Sequence, residues 1–288
     1  MTFTSSPGRA EILNGVPIYF EVHGSGEPLL LLHGFSGCSQ DWSASIEAQT
    51  LSSGGEFQLI IPDMRGHGRS FAPPEGSLAA TKSAPPHSAG SLGLRSEQAG
   101  VAVLSEFSAW RHDKAAVDML ALLDHLGIET FKGIGVSAGG NVLLHLATKQ
   151  PERVKAMVLV SATSYFPAQA RPLMRAYPDN LPAAERENLQ RRHPGGDAQI
   201  EALLASTRAF ADSYDDMNFT TPYLGRITAR TLIVQGDRDP LYPVEISVEM
   251  AQAIARSSLW IVPSAGHGPI LGERWLEFLK TAAAFLRG

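Results

Sequence analysis

The stretch Gly135-Val136-Ser137-Ala138-Gly139 decides the fold of this chain. It reads Gly-x-Ser-x-Gly. The apolar run Phe131-Lys132-Gly133-Ile134 precedes it, and the helix-like stretch Asn141-Val142-Leu143-Leu144-His145-Leu146-Ala147 follows. Strand, tight turn of small residues, then helix is the context of a nucleophile elbow, where a serine rides on a sharp, strained turn. Bulky residues at the two glycine positions would collide with the strand and helix beside them. The helix start also turns backbone N–H groups toward the serine, where developing negative charge is stabilised.

Outward from this point the pattern repeats. Residues 10–13 and 16–22 flank Asn14-Gly15, a hairpin signal. Short apolar runs at 29–32, 59–61, 134–136, 157–160, 232–234 and 259–262 read as buried strands. Helix-period stretches at 114–126, 244–255 and 273–286 lie between or after them. Strands alternating with helices predict an α/β protein with a mostly parallel central sheet covered on both faces.

Two segments break the alternation. Residues 71–111 are rich in Pro, Gly, Ser and Ala with weak periodicity, and a loop of that length inside a compact domain is usually functional or mobile. Residues 163–226 carry charge-rich helical stretches and scattered aromatics, and read as a helical cap inserted between two strands. The expected organisation is a core of 1–162 and 227–288, holding the 71–111 insertion, with 163–226 as the cap.

Composition narrows the function classes. The 288 residues suffice for a large core, and 44% apolar content is ordinary for a globular protein. A net charge of -5 gives no reason to expect nucleic acid or an anionic membrane as partner. Cys38 is the single cysteine, so no internal disulfide forms, which fits a reducing compartment. Residues 1–10 are polar and lack the apolar region of a signal peptide, and the apolar runs are too short to span a membrane. A cytoplasmic location is the expectation. The oligomeric state is not readable from the sequence.

A serine hydroxyl is a weak nucleophile until a base takes its proton, and the base needs a carboxylate to orient it. Gln235-Gly236-Asp237-Arg238-Asp239-Pro240 follows one strand run, and Ser264-Ala265-Gly266-His267-Gly268 follows the next. Catalytic groups in open parallel sheets gather at the carboxyl ends of strands, so Ser137, Asp239 and His267 are expected to converge there. Their order, Ser…Asp…His, is that of α/β-hydrolases. Asp237 is the competing acid. Proline after Asp239 favours an extended or turn conformation that can aim it at the histidine loop. Leu31-Leu32-His33-Gly34-Phe35 ends an early strand. The Phe35 and Ala138 amides would then form an oxyanion hole.

The chain resembles the α/β-hydrolase fold superfamily, and more narrowly its bacterial serine esterases and related cofactor-free hydrolases. The resemblance rests on His33-Gly34-Phe35, Pro62-Asp63-Met64-Arg65-Gly66-His67-Gly68-Arg69-Ser70, the elbow with Gly140, Gly236-Asp237-Arg238-Asp239-Pro240 and Gly266-His267-Gly268, in that order. It implies Ser137 as nucleophile, His267 as base and Asp239 as orienting acid. Serine at the elbow argues against epoxide hydrolases and haloalkane dehalogenases of this fold, which carry aspartate there. The 71–111 segment departs from the family pattern, in which a short connection leads to the next helix.

Several residues have competing readings. His33, Asp63, Arg65 and His67 read as loop braces. Trp42, Tyr165 and Phe166 are candidates for lining a substrate pocket, although core packing explains each equally well. The remaining histidines, among them His112, His145 and His193, have no carboxylate or cysteine at metal-ligand spacing, so no metal site is expected and a solvated or structural role is the default. The reading that results is a serine hydrolase acting on a small or medium carboxylic ester through an acyl-enzyme, with no cofactor. Lactone, amide or C–C bond cleavage and perhydrolysis would keep the triad and change the bond. A ligand-binding receptor of this fold is the alternative from another class.

Overall fold

The computed structural model describes residues 5–43, 55–71 and 110–288, so most of the insertion expected at 71–111 lies outside the described residues. Eight strands form one sheet in the order β1-β2-β4-β3-β5-β6-β7-β8. The first two, β1 (Ser5–Leu13) and β2 (Val16–Gly24), are an antiparallel hairpin. Asn14 and Gly15 both have positive φ, 50° and 78°, as a two-residue hairpin turn demands. β2 pairs antiparallel with β4 (Phe57–Pro62). From there the sheet is parallel through β3 (Glu27–Leu32), β5 (Phe131–Val136), β6 (Val154–Val160), β7 (Arg230–Gly236) and β8 (Ser257–Val262). Strands covered on both faces need continuous apolar runs. Leu29, Leu30, Leu31 and Leu32 of β3 are accordingly all fully buried.

The described helices are α1 (Gln40–Ser43), α2 (His112–His125), α3 (Ala138–Lys149), α4 (Ala170–Ala176), α5 (Ala183–Arg192), α6 (Gly196–Phe210), α7 (Thr221–Leu224), α8 (Val244–Ala253) and α9 (Trp275–Arg287). Side chains of α2, α3 and α8 share one buried cluster with Leu30, Leu32 and Ile60. Side chains of α9 share a second cluster with Leu29, Leu31, Leu59 and Ile61. The alternation of one strand's residues between the two clusters is the period of two of a pleated strand. The sheet therefore lies between two helical layers, the α/β arrangement expected from the sequence.

Helices α4 to α7 all fall between β6 and β7 and form the helical cap. Among the described residues, no helix is long and apolar enough to cross a membrane. Polar side chains fasten the cap to the core. His193, just past α5, accepts from the Gly68 N–H through Nδ1 at 2.9 Å and reaches the Ser36 carbonyl through Nε2 at 3.0 Å. Gln199 of α6 donates to the carbonyls of Gly66 and Gly68, each at 2.9 Å. The loop they grip is itself braced. Asp63 accepts from the Ser39 and Arg69 amides, and Arg65 forms a two-pronged ion pair with the buried Asp118.

Candidate active site

The chain leaves β5 into α3 through Ser137, whose φ of 51° and ψ of −114° lie outside the usual regions for a residue with a side chain. The flanking glycines are required by contact. A Cβ on Gly139 would stand 2.5 Å from the Leu32 carbonyl oxygen and 2.6 Å from that of His33, and one on Gly135 would strike the Gly139 carbonyl. β3, β5 and the start of α3 are thus pressed together at the serine. Ala138 is the first residue of α3, so its N–H has no acceptor one turn earlier in the helix. The turn after β3 abuts the same point, since a Cβ on Gly34 would lie 3.8 Å from the Ser137 Cβ. The turn that carries Gly34 and Phe35 and the first turn of α3 therefore meet at the serine.

Loops after β7 and β8 bring the other two groups. His267 Nε2 lies 2.8 Å from Ser137 Oγ, and its Nδ1 lies 2.7 Å from Asp239 Oδ2. Asp237 faces elsewhere and accepts from the Ala265 amide at 3.2 Å, which ties the two loops to each other. Gly236 permits their close approach, because a Cβ there would strike the carbonyls of Ala265 and Gly266. Asp239 is held from several directions. Leu241 and Tyr242 amides donate to Oδ1 at 2.8 and 3.2 Å, and Gln235 Nε2 donates to Oδ2 at 2.9 Å. Burial by itself would push this carboxyl up. The hydrogen bond and charge of His267, with the Leu241 amide and Gln235, outweigh burial and hold it below the usual carboxylate range. An ionised Asp239 accepts only, so His267 Nδ1 carries the proton and Nε2 presents its lone pair to the serine hydroxyl.

Of the pocket candidates, Phe166 is buried against Phe210 of α6, with ring centroids 5.6 Å apart, and Phe210 in turn meets Phe35 at 5.0 Å. These rings form a buried aromatic cluster between the cap and the turn after β3. Tyr165 is 39% exposed and its hydroxyl approaches Glu249 on α8. Trp42 needs a correction. Its ring packs on Trp275 of α9, 5.7 Å between centroids, inside the cluster on the far face of the sheet. Sequence placed it just past the His33 turn, but the chain turns it into the core, where so large an apolar ring buries most area. Among the described residues, no group of three His, Cys, Asp or Glu side chains could hold a metal ion. The thiol of Cys38 is buried and is pushed up to about 11 by burial first and then by Asp41.

Sequence reasoning missed three residues around this site. Asn141 stands one turn along α3 from the serine, with its N–H on the Ser137 carbonyl at 2.9 Å. The Tyr242 ring meets His267 edge-on, with centroids 5.2 Å apart. His112 pairs with Asp216 at 2.7 Å, so a histidine with no carboxylate at metal-ligand spacing in the sequence receives one from the cap. Residues 141 and 242 were readable only as ordinary helix and loop positions, and Asp216 lies 104 positions from its partner.

Comparison with known proteins gives a consistent picture. The family model described as alpha/beta hydrolase fold matches residues 27–195, and one described as TAP-like protein matches residues 215–275. The chain is 28% identical over 304 residues to RutD of Variovorax paradoxus, provisionally named a carbamate hydrolase, covering 93% of this chain and 98% of that one. It is 25% identical over 281 residues to a 2-hydroxymuconate semialdehyde hydrolase of Pseudomonas putida, covering 90% and 87%. A meta-cleavage product hydrolase from Pseudomonas fluorescens shares its fold, with a TM-score of 0.68, 20% identity and 97% coverage of both chains.

Proposed function

Because the chain belongs to the alpha/beta hydrolase fold family, we propose that it is a serine hydrolase that cleaves small or medium carboxylic esters through an acyl-enzyme. The observation that carries this reading is the unbroken series Ser137 Oγ, His267, Asp239, with contacts of 2.8 and 2.7 Å. In this reading His267 Nε2 takes the hydroxyl proton as Ser137 Oγ attacks the ester carbonyl. The Phe35 and Ala138 amides hold the oxyanion. His267 then gives its proton to the departing alcohol, and a water activated the same way releases the acid. Asp239 keeps the imidazole in the Nδ1–H tautomer and offsets the charge that forms on it.

The relatives' names support hydrolysis and differ in what is cleaved, a carbamate in one and 2-hydroxymuconate semialdehyde in the other. Esters are preferred here because the site needs nothing beyond an acyl carbonyl and a leaving group that accepts one proton. The test is a turnover screen over aryl and alkyl esters of graded acyl length, with lactones, carbamates and vinylogous diketones alongside. Ester turnover that disappears in Ser137→Ala supports the reading. Turnover confined to the diketones would reassign the bond. No turnover of any substrate would favour a binding protein.

A further inference from the structure

A buried polar relay joins the cap to the candidate triad. It starts at Asp216, in the stretch between α6 and α7. This carboxylate accepts from the N–H groups of His112 and Asp113 at 2.9 and 3.1 Å, and so caps the first turn of α2 from a distant part of the chain. Its Oδ2 also takes the His112 Nδ1–H at 2.7 Å. Burial opposes its ionisation, but His112 and the two amides outweigh burial and hold the Asp216 carboxyl far below the usual range. With Nδ1 donating, His112 Nε2 is left as an acceptor. It faces Asn141 Nδ2 at 3.4 Å.

Asn141 is the hub. Its Oδ1 accepts the Thr163 N–H at 2.9 Å. A backbone N–H can only donate, so this contact fixes which end of the amide is oxygen. Both Nδ2 protons are then free for acceptors. One meets His112, and the Tyr242 hydroxyl is hydrogen-bonded to the same side chain. Tyr242 closes the path. Its N–H is on Asp239 Oδ1 at 3.2 Å, its carbonyl accepts from Gln235, and its ring lies against His267. Every member is buried. A buried amide with a defined partner at each polar atom is costly to misplace, because any rotation leaves a donor or acceptor unpaired.

We propose that Asn141, His112 and Tyr242 are positioning residues that couple the seating of the cap, through Asp216, to the placement of Asp239 and His267. This inference rests on the serine-hydrolase reading and deepens it. A displaced cap would withdraw Asp216, free the His112 ring, and let Asn141 and Tyr242 relax the acid loop.

The test uses the rate at which a small fluorophosphonate labels Ser137, since that rate reports nucleophile activation without an acyl chain chosen by the cap. His112→Phe and Tyr242→Phe should each slow labelling about tenfold, the scale of one lost buried hydrogen bond. His112→Gln, which keeps an acceptor within reach of Asn141, should stay closer to wild type. In the double variant His112→Phe with Tyr242→Phe, the loss should be well below the product of the two single losses, because both cut one path. For the same variants kcat on esters should fall while KM holds. Losses that multiply, or labelling rates equal to wild type in variants with unchanged melting temperature, would overturn the relay. Should His112→Phe fail to fold, Asn141→Asp replaces it, since it keeps the acceptor for Thr163 and removes the donor to His112. A wild-type protein that does not label at all would instead remove the serine-hydrolase reading, and the relay with it.

Discussion

His267 Nε2 stands 2.8 Å from Ser137 Oγ, across 130 positions of chain. Ser137 is held by the turn between β5 and α3, and His267 by the loop after β8, three strands further along the sheet. Parallel strands end at one edge, and that edge is what converts distant motifs into contact.

The first prediction separates the two acids after β7. Asp239→Asn keeps the size of the side chain but removes the charge and disturbs the His267 tautomer. It should fold normally and lose on the order of 10⁴ in kcat, the scale known for such a change in a serine triad. Asp237→Asn disturbs only the contact with the Ala265 amide and should retain much of its activity. Steady-state ester hydrolysis by both variants checks this, and the reverse ranking would move the acid to Asp237.

Close packing at the elbow yields a second prediction. Gly139→Ala would put a methyl group 2.5 Å from the Leu32 carbonyl oxygen, a backbone atom with no room to yield. The expected cost is at least about 1–3 kcal/mol of stability, as for other overpacked sites, together with displacement of Ser137. Chemical denaturation and fluorophosphonate labelling measure the two effects. A variant as stable and as reactive as wild type would show that β3 and α3 are not in contact there.

The aromatic cluster between the cap and the turn after β3 predicts where substrate preference is set. Phe210→Leu removes a ring that touches Phe35, Phe166 and Trp110, and should shift the ranking of esters by acyl length. Trp42→Phe alters only the layer under α9 and should leave that ranking as it was. Relative kcat/KM values over the same ester series are the readout. A shift from Trp42→Phe, with none from Phe210→Leu, would contradict a role for that cluster in selecting substrate.

Acid sensitivity follows from two buried histidines. His145 and His193 are each brought down from 6.5 to about 4, by burial above all. Above pH 6.5 both are neutral in folded and unfolded chains, so they add no pH dependence. Between pH 6.5 and 4 the unfolded chain takes up protons that the folded one refuses, and stability falls as pH falls. Each histidine contributes a loss of at most about 3 kcal/mol over that window. Denaturation of wild type and His193→Gln at pH 7.5 and 4.5 tests it. The variant should be less stable at pH 7.5 and should lose less on acidification. An equal loss in both proteins would show that His193 is not kept neutral by the fold.

How much of this was legible in the sequence differs by residue. The elbow was legible because Gly135 and Gly139 record close contacts in their own identity. The strands were legible because burial on both faces leaves unbroken apolar runs, as at Leu29 to Leu32. Asp239 could be preferred over Asp237 because Pro240 constrains the backbone before it. Trp42 was left open between pocket and core, since a tryptophan beside an active-site turn looks the same in sequence whether its ring enters the cleft or the core. The pairing of His112 with Asp216 was invisible. It depends on the path of the cap back over α2, which no local pattern encodes. Asn141 was hidden for a related reason. At an inner helix position its amide is meaningful only once Thr163, His112 and Tyr242 are known to surround it.

The central claim is that Ser137 is the single activated nucleophile. Intact-mass spectrometry after treatment with a fluorophosphonate tests it most directly, with peptide mapping to locate the adduct. The account predicts one adduct per chain, on Ser137, abolished in Ser137→Ala and strongly slowed in His267→Ala. An adduct on another residue, or labelling of Ser137→Ala equal to wild type, would contradict it.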